Sequence, residues 1–480
     1  MLRKALGTSI NGLWIIIYAI VLLFLFIWGN NSILCCLLMA VLLIGLCFII
    51  KDDENRRRIM IMCAVFFLLQ LFLAFNIYFR AGWDVHTLTT GAWNDVLDPP
   101  LPYELVHAYD YLNFNQNNIL LYGYYTLMAA LCQALKRGPN FYYALMILVN
   151  IFIYTFTSFF LYENIRKLTD ERYAKIAWFI YALLIGTSGW YIVPYSDSLT
   201  LFIPSLCLYV YLYLRSGYRY LLISFLTALG FYIKPQTGIF MIALIMILSV
   251  YDLRWETLKK NALLLFLSAV CALTVIVPVE YVKHSYFEPD KALGFTHFAM
   301  MGLNYETAGS YSLKDVEYSQ QFATAKERTQ GNIERIKERL HTVDLQKHFR
   351  NKLIFNFNDG NFYFGQEGYF YSYRSKDLLV TSAFLKDVFL DDGKYYRITA
   401  ASRHLLYVAV LFLSVFSLKD KRKEVLLIKL SLVGLFMFQM IFEARSRYLF
   451  IYVPFFIVLA ALGMNRIKDM AESLRKKTAS

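Results

Sequence analysis

Residues 59–79, IMIMCAVFFLLQLFLAFNIYF, form an apolar run that ends at Arg80 and is followed within four residues by Trp83-Asp84. A run of this length as a helix crosses the roughly 30 Å hydrocarbon core of a bilayer. The carboxylate of Asp84 would then lie at the membrane edge, held by a rigid element. Such a group can act as a base on a substrate whose other end is anchored in lipid. The pattern therefore favours an enzyme over a channel or a scaffold.

Composition places the whole chain in the membrane class. The 480 residues are 58% hydrophobic and 18% aromatic, with a mean hydropathy of +0.45, outside the range of soluble domains. Two basic residues, Arg3 and Lys4, precede the first run without a small-residue cleavage site, so we expect a retained anchor rather than a cleaved signal peptide. Further apolar runs occupy residues 13–29, 33–50, 141–162, 199–214, 262–282 and 448–462.

The net charge of +13 is explained by membrane topology rather than by nucleic acid. Lys and Arg concentrate in short connections between apolar runs, as expected for cytoplasmic loops, so no nucleic-acid partner is expected. All seven cysteines lie in apolar segments, which supports neither a disulfide framework nor a zinc site. The basic connections are residues 51–58, 166–175, 215–219, 254–260, 419–423 and 466–477.

If these basic connections are cytoplasmic, both termini lie inside and Asp84 lies outside. Asp84 and Ser196 can share a face only if an even number of spans separates them, yet three apolar stretches lie between them (118–135, 141–162 and 174–193). Tyrosines, Thr126 and Gln133 lower the hydropathy of the first stretch. We therefore interpret it as an amphipathic helix at the outer interface. About twelve spans remain.

The predicted fold class is an all-α polytopic membrane protein, located in the cell membrane. Four parts follow from the runs: a two-helix anchor (1–58), a transmembrane core (59–282) with a first outer loop (81–117), an extracytoplasmic loop domain (283–403), and C-terminal helices with a cytoplasmic tail (404–480). The loop domain contains a charged, helix-like stretch at 316–340 and a turn at 356–360.

Ionisable residues recur at the predicted outer ends of the spans. Because charges at membrane depth are costly, their recurrence on one face favours a functional cluster, although any single one can be a helix cap or a snorkelling side chain. A carboxylate base with Lys and Arg nearby suits displacement at a phosphate-activated carbon. No glycine-rich phosphate loop or nucleotide fingerprint occurs, and a lipid-attached donor needs neither. The cluster consists of Asp84, His86, Asp197, Lys234, Glu443, Arg445 and Arg447.

Five short motifs in this order resemble the GT-C superfamily of polytopic glycosyltransferases, which take sugars from polyprenyl-phosphate carriers. The likeness is closest to enzymes that decorate Gram-positive cell-surface polymers, with protein mannosyltransferases and lipid A aminoarabinose transferases as relatives. Residues 115–118 depart from the family's Tyr-Pro-Asn-Asn, since Asn and Gln replace Tyr and Pro. The motifs are residues 83–85, 115–121, 194–198, 233–236 and 443–449.

The resemblance implies transfer of one sugar from a polyprenyl-phosphate donor to a cell-envelope glycan or teichoic-acid-type acceptor. Asp84 would be the base in a direct, inverting displacement, with His86 as a helper and Asp197 positioning the acceptor. Lys234, Arg445 and Arg447 would bind the carrier phosphate beside Glu443, and Asp359 in the large loop would face donor or acceptor. No cofactor is expected, and the absence of a dense acidic cluster disfavours a metal. Trp83 is expected to be an interfacial anchor.

Two other classes stay open. A flippase or polymerase of envelope polysaccharide also has many spans and outer-loop arginines, but an acidic residue directly after an early span is not its expected signature. A transporter or non-catalytic scaffold is the second alternative. Transporters have Gly- or Pro-broken helices at corresponding positions of two halves, and the sequence contains no such symmetry.

Overall fold

The computed structural model is almost entirely helical. It describes residues 2–29, 31–50, 56–97, 102–215, 217–251, 255–365, 379–380, 383–389 and 393–479. Most of the predicted basic connection 51–58 and the first residue of 254–260 lie outside the described residues. Parts of the predicted loop domain (366–378, 381–382 and 390–392) lie outside them as well.

The first half of the chain forms the N-terminal helices and the membrane core. These elements are α1 (Leu2–Ile27), α2 (Ile33–Ile49), α3 (Arg56–Asn76), β1 (Ile77–Tyr78), α4 (Trp83–Asp95), α5 (Pro102–Phe114), α6 (Ile119–Ala134), α7 (Pro139–Leu168), α8 (Glu171–Leu184), α9 (Ser196–Thr200), α10 (Phe202–Tyr213), α11 (Tyr218–Phe231), α12 (Gly238–Tyr251) and α13 (Trp255–Tyr286).

The second half contains a series of shorter helices followed by three longer C-terminal helices. These elements are α14 (Gly294–Gly302), α15 (Leu313–Gln320), α16 (Ala325–Thr342), α17 (Leu345–Phe357), β2 (Leu379–Val380), α18 (Ala383–Phe389), α19 (Tyr396–Ser414), α20 (Lys423–Ile441) and α21 (Val453–Ala479). Short 3-10 turns lie at Gln116–Asn118, Trp190–Ile192, Pro235–Thr237, Pro289–Lys291, Val415–Lys419 and Ser446–Tyr452.

Seven helical segments in the described chain are long and apolar enough to cross a membrane, by length and composition. Three shorter apolar helices accompany them, at Ile33–Cys47, Tyr218–Phe231 and Pro235–Ser249. The predicted class, an all-helical polytopic membrane protein, is confirmed. The count of about twelve spans and the interfacial position of α6 stay predictions.

Helix α21 forms the centre of the bundle. Its span, Ser446–Thr478, is the most enclosed of the seven, with 89% of its most apolar window buried. It packs against α7, α8 and α19. In contrast, α1, α2 and α3 expose leucines, isoleucines and phenylalanines along their outer faces, such as Leu38, Leu68 and Phe72. Those faces suit contact with lipid chains, which impose no penalty on exposed apolar side chains.

Two of the predicted basic connections, 166–175 and 419–423, lie together at one end of the bundle. Arg422 donates to the carbonyl of Leu168 at 2.8 Å, and Lys423 lies 6.0 Å from the ring centroid of Tyr211. Lys167 contacts the ring of Tyr213 in the same way, at 5.6 Å. Because α20 runs from this basic end to Ile441, the segment that follows it, with Glu443, lies at the opposite end.

The stretch predicted as a span at 174–193 is helical only as far as Leu184. The rest is irregular backbone, and its carbonyls are satisfied by polar side chains from neighbouring helices, as buried backbone requires. Asn150 donates to the carbonyls of Tyr191 and Val193 at 3.0 and 3.1 Å. Gln70 donates to Gly186 at 3.2 Å, and Arg403 to Thr187 at 2.9 Å. This buried turn leads directly into Tyr195 and Asp197 and fixes their positions.

The charged stretch predicted as one helix at 316–340 forms two helices, α15 and α16. A capping box begins α16: the Thr324 hydroxyl accepts from the Glu327 N–H at 3.2 Å, and the Glu327 carboxylate accepts from the Thr324 N–H at 3.2 Å. The turn predicted at 356–360 begins at residue 358, because Asn356 and Phe357 are the last residues of α17. The pairing of β1 with β2 was not predicted.

Candidate functional site

A buried ion pair joins two of the predicted site residues. Asp197 lies in the first turn of α9, and Lys234 lies in the bend between α11 and the 3-10 turn Pro235–Thr237. The Lys234 ammonium is 2.5 Å from Asp197 Oδ1, and the two residues are 4% and 0% exposed. Burial lowers the pKa of Lys234, and the adjacent carboxylate opposes that shift. The pair fixes the ends of α9 and α11 to each other.

Asp84 is held by tyrosine hydroxyls at the start of α4. The Tyr195 hydroxyl donates to Asp84 Oδ2 at 3.1 Å, and the Tyr111 hydroxyl is a second hydrogen-bond partner of the carboxylate. Asn118 in turn donates to the Tyr111 hydroxyl at 2.9 Å. Burial and then the Asp84 charge raise the pKa of both tyrosines, so both remain donors. Asp84 and Asp197 therefore lie at the same end of the bundle.

The segment between α20 and α21 brings the remaining charges to this end. The Tyr448 hydroxyl donates to Glu443 Oε2 at 2.9 Å, and Arg445 Nε is 3.4 Å from Glu443 Oε1. Burial raises the pKa of Glu443, while Arg447 and the Tyr448 hydrogen bond lower it. Lys352 of α17 anchors the segment from behind, donating to the carbonyls of Gly302 and Phe442 at 2.7 and 2.6 Å.

Arg447 lies among three aromatic rings. Its guanidinium carbon is 4.9 Å from the ring centroid of Trp83, 5.3 Å from that of Tyr195 and 5.4 Å from that of Tyr448. The Lys234 ammonium lies 4.6 Å from the same Tyr448 ring. The half-buried indole of Trp83 thus contacts the cluster, and its predicted role as an interfacial anchor stays a prediction.

A cavity of about 350 Å³ opens beside these charges. Its polar lining includes Tyr195, Lys234, Glu443, Arg447 and Tyr448. Its apolar lining includes phenylalanines of α11, α14 and the end of α20, of which Phe231 and Phe295 are 38% and 62% exposed. Asp84 does not line the cavity, but it accepts a hydrogen bond from Tyr195, which does. These phenylalanines are Phe231, Phe295, Phe298, Phe438 and Phe442.

Three further residues, Tyr232, Glu280 and Lys283, also line the cavity. Lys283 is 2.7 Å from Glu280 Oε1, and the Tyr232 hydroxyl donates to the same oxygen at 2.8 Å. Sequence reasoning missed this group, although a charged end on the apolar run 262–282 was a usable signal. The rings around Arg447 were missed because contacts between distant segments have no local signature.

Two predicted site residues lie outside the cluster or serve another contact. His86 is two positions after Asp84 on α4, so it points to another side of the helix. It lines a separate cleft of about 70 Å³ with Arg80, Trp93 and Tyr143. Asp359 accepts from the N–H groups of Asn361 and Tyr363 and from the Ser446 hydroxyl, at 2.8, 2.6 and 3.0 Å. These contacts hold the turn after α17 against the 3-10 turn Ser446–Tyr452 that precedes α21. Substrate binding by His86 or Asp359 stays a prediction.

Metal ligands do not gather here as a set. Across the described residues, no group of three or more His, Cys, Asp or Glu side chains is placed to hold a metal ion. The seven cysteines are all free, and five of them are buried. The expectation that no metal is needed stays a prediction from the sequence.

The fold and this enclosed charged cluster define an integral membrane protein of the all-helical, multi-pass class. The chain belongs to a family described as conserved hypothetical integral membrane protein, whose model matches residues 7–468. Comparisons with curated proteins and with solved structures returned no match. Membrane localisation is thus confirmed by family and by fold.

Proposed function

We propose that this chain is a membrane glycosyltransferase of the GT-C type. It moves one sugar from a polyprenyl-phosphate donor to a cell-envelope glycan or teichoic-acid-type acceptor, on the extracytoplasmic side of the membrane. Asp84 takes the proton of the acceptor hydroxyl, the new bond forms at the anomeric carbon, and the carrier phosphate leaves with the electron pair of the old bond.

The observation that carries the proposal is the composition of the cavity. Its lining combines phenylalanines, two of them partly exposed, with the charged residues Lys234, Glu443 and Arg447. A ligand that fits must combine an apolar chain with an anionic group, which is the chemistry of a lipid phosphate. The volume is at the lower end of ligand-binding pockets, sufficient for a head group and the first part of its chain.

The cations of the cluster also suit a phosphodiester. Lys234, Arg445 and Arg447 accompany three carboxylates, Asp84, Asp197 and Glu443. The arginine N–H groups can stabilise the charge that develops as the phosphate leaves.

The position of Asp84 suits an inverting displacement. In that reaction the acceptor and the leaving phosphate lie on opposite sides of the anomeric carbon. Asp84 accepts a hydrogen bond from the Tyr195 hydroxyl, and the Tyr195 ring packs on Arg447. The proposed base and the proposed phosphate-binding arginine thus contact the same tyrosine, which lines the cavity.

The test replaces the proposed base in the organism that encodes the chain. Deletion of the gene, complemented with wild type, Asp84→Asn or Asp110→Asn, is followed by mass analysis of the envelope glycans. Asp110 is the matched control because it is an exposed aspartate on the neighbouring helix α5. We expect Asp84→Asn to lack a single-sugar substituent and Asp110→Asn to resemble wild type.

Two results would contradict the proposal. If the strain that carries Asp84→Asn has the normal sugar substituent on its envelope glycan, Asp84 is not the base. Loss or shortening of the whole polymer in the deletion strain favours a flippase or polymerase instead.

A further inference from the structure

Trp83 has an unusual backbone conformation beside the cluster. Its φ is +47°, in the left-handed region that side-chain-bearing residues rarely occupy. Strain of this kind persists only where the surroundings hold it, and it concentrates at functional sites. The flanking backbone is fixed on both sides: the Ala81 N–H donates to the Tyr143 hydroxyl at 3.1 Å, and the His86 N–H donates to the Gly82 carbonyl at 3.2 Å.

This conformation brings the indole into contact with both Tyr195 and Arg447. The Trp83 ring meets the Tyr195 ring edge-on, with centroids 4.7 Å apart and an interplanar angle of 76°. It also lies 4.9 Å from the guanidinium carbon of Arg447. The next residue along the chain is Asp84, so one helical turn carries both the carboxylate and the ring that contacts the arginine.

Aromatic contacts can orient an arginine without replacing its ligand. A ring face attracts the cation through its quadrupole and supplies no oxygen acceptor, so the contact does not itself occupy the N–H groups. The Trp83, Tyr195 and Tyr448 rings approach Arg447 within 5.4 Å, and the side chain still lines the cavity. The cage thereby fixes where the guanidinium meets an anion.

We infer that Trp83 is a positioning residue that holds Arg447 for the carrier phosphate and couples that arginine to the helix bearing Asp84. The inference rests on the proposed function, because it takes the anion in the cavity to be a lipid phosphate. It assigns to Trp83 a role in binding phosphate, distinct from anchoring at the membrane surface.

The experiment measures binding of undecaprenyl phosphate to the full-length protein in nanodiscs. Trp83→Leu is compared with Trp83→Phe, which keeps a ring, and with Trp93→Leu. Trp93 is the matched control: it is a half-buried tryptophan on the same helix that packs on Tyr142, 5.3 Å between centroids, away from Arg447. Undecaprenol, which lacks the phosphate, serves as the control ligand, and thermal unfolding is recorded for every variant.

We expect Trp83→Leu to weaken undecaprenyl phosphate binding about tenfold, the size of a well-enclosed cation–π contact. Undecaprenol binding should stay unchanged. Trp83→Phe should recover most of the loss, and Trp93→Leu should bind the phosphate as wild type does even where its unfolding temperature falls.

Two results overturn the inference, and they are distinguishable. If wild type binds the phosphate and Trp83→Leu binds it equally well, Trp83 is not a positioning residue and the proposed function survives. If wild type binds undecaprenyl phosphate no better than undecaprenol, the lipid-phosphate site fails and the inference fails with it.

Discussion

The Lys234 ammonium lies 2.5 Å from the Asp197 carboxylate, and both side chains are withdrawn from solvent. A buried ion pair of this kind contributes little net stability compared with an apolar pair of the same shape, but breaking it leaves an uncompensated charge. The pair joins the predicted acceptor-side residue to a predicted phosphate ligand. Its structural role and its proposed role in ligand binding can be separated by mutation.

The first prediction concerns this pair. Lys234→Met should lower the stability by about 3–5 kcal/mol because Asp197 loses its partner in the interior. Lys234→Met combined with Asp197→Leu should recover most of that loss. Both proteins should bind undecaprenyl phosphate poorly, since both lack the ammonium. Thermal unfolding and lipid binding in nanodiscs measure the two effects, and wild-type binding by the double variant would remove Lys234 from the phosphate site.

The second prediction concerns the hydrogen bond from Tyr195 to Asp84. Tyr195→Phe removes the hydroxyl and keeps the ring against Arg447, so sugar transfer should fall about ten- to a hundredfold with lipid binding retained. That range corresponds to about 1.5–3 kcal/mol for a hydrogen bond to a charged group. Tyr191→Phe, a buried tyrosine of the same turn, is the control. Equal transfer by the two variants would show that the hydroxyl does not orient the base.

The third prediction concerns pH and Lys352. Burial lowers the pKa of Lys352 to about 7, against about 10.4 for an unfolded lysine. Between these values the unfolded chain binds the extra proton, so the folded state gains stability as the pH rises from 7 toward 10. Lys352→Met should therefore lack this increase, while Lys347→Met on the exposed face of the same helix should keep it.

The measurement for Lys352 is the difference in unfolding free energy between wild type and each variant, across pH 6–10 by denaturant titration in detergent. The expected slope of the wild-type minus Lys352→Met difference is positive, at most about 1.4 kcal/mol per pH unit. A zero or negative slope of this difference with pH would contradict a lysine whose pKa is lowered by burial behind the Glu443 segment.

The fourth prediction concerns close packing at Gly302. A Cβ at this position would lie 2.6 Å from the carbonyl carbon of Phe442 and would also clash with the Ile441 carbonyl. Gly302→Ala should destabilise the protein by about 1–3 kcal/mol and weaken lipid-phosphate binding, because the residues before Glu443 must move. Gly123→Ala on α6 meets no atom within 4 Å and should be neutral or stabilising. Wild-type behaviour of Gly302→Ala would show that this contact does not position the segment.

Local patterns in the sequence predicted much of the fold. The apolar runs correspond to helices such as α3 and α7, because a membrane span must form all its backbone hydrogen bonds internally. The prediction of a helix was wrong at residues 185–193. There the backbone carbonyls accept hydrogen bonds from side chains of other helices, namely Asn150, Gln70 and Arg403. The break between α15 and α16 was readable in advance, since Thr324 and Glu327 have the spacing of a capping box.

The charged residues of the site were predictable, but their partners were not. Asp84, Asp197, Lys234, Glu443, Arg445 and Arg447 stand out in the sequence because charges beside apolar runs are costly. The cage around Arg447 joins residues 83, 195 and 448, and no spacing along the chain indicates that contact. The same holds for Tyr111 at Asp84 and for Lys352 behind Phe442.

The most direct measurement is a structure of the full-length protein in nanodiscs with undecaprenyl phosphate. We predict the phosphate within hydrogen-bond distance of Lys234 and Arg447, with the lipid chain leaving along Phe295 and Phe442. A phosphate bound elsewhere, or a lipid chain in the cavity with its phosphate directed away from both cations, would contradict a lipid-phosphate donor site.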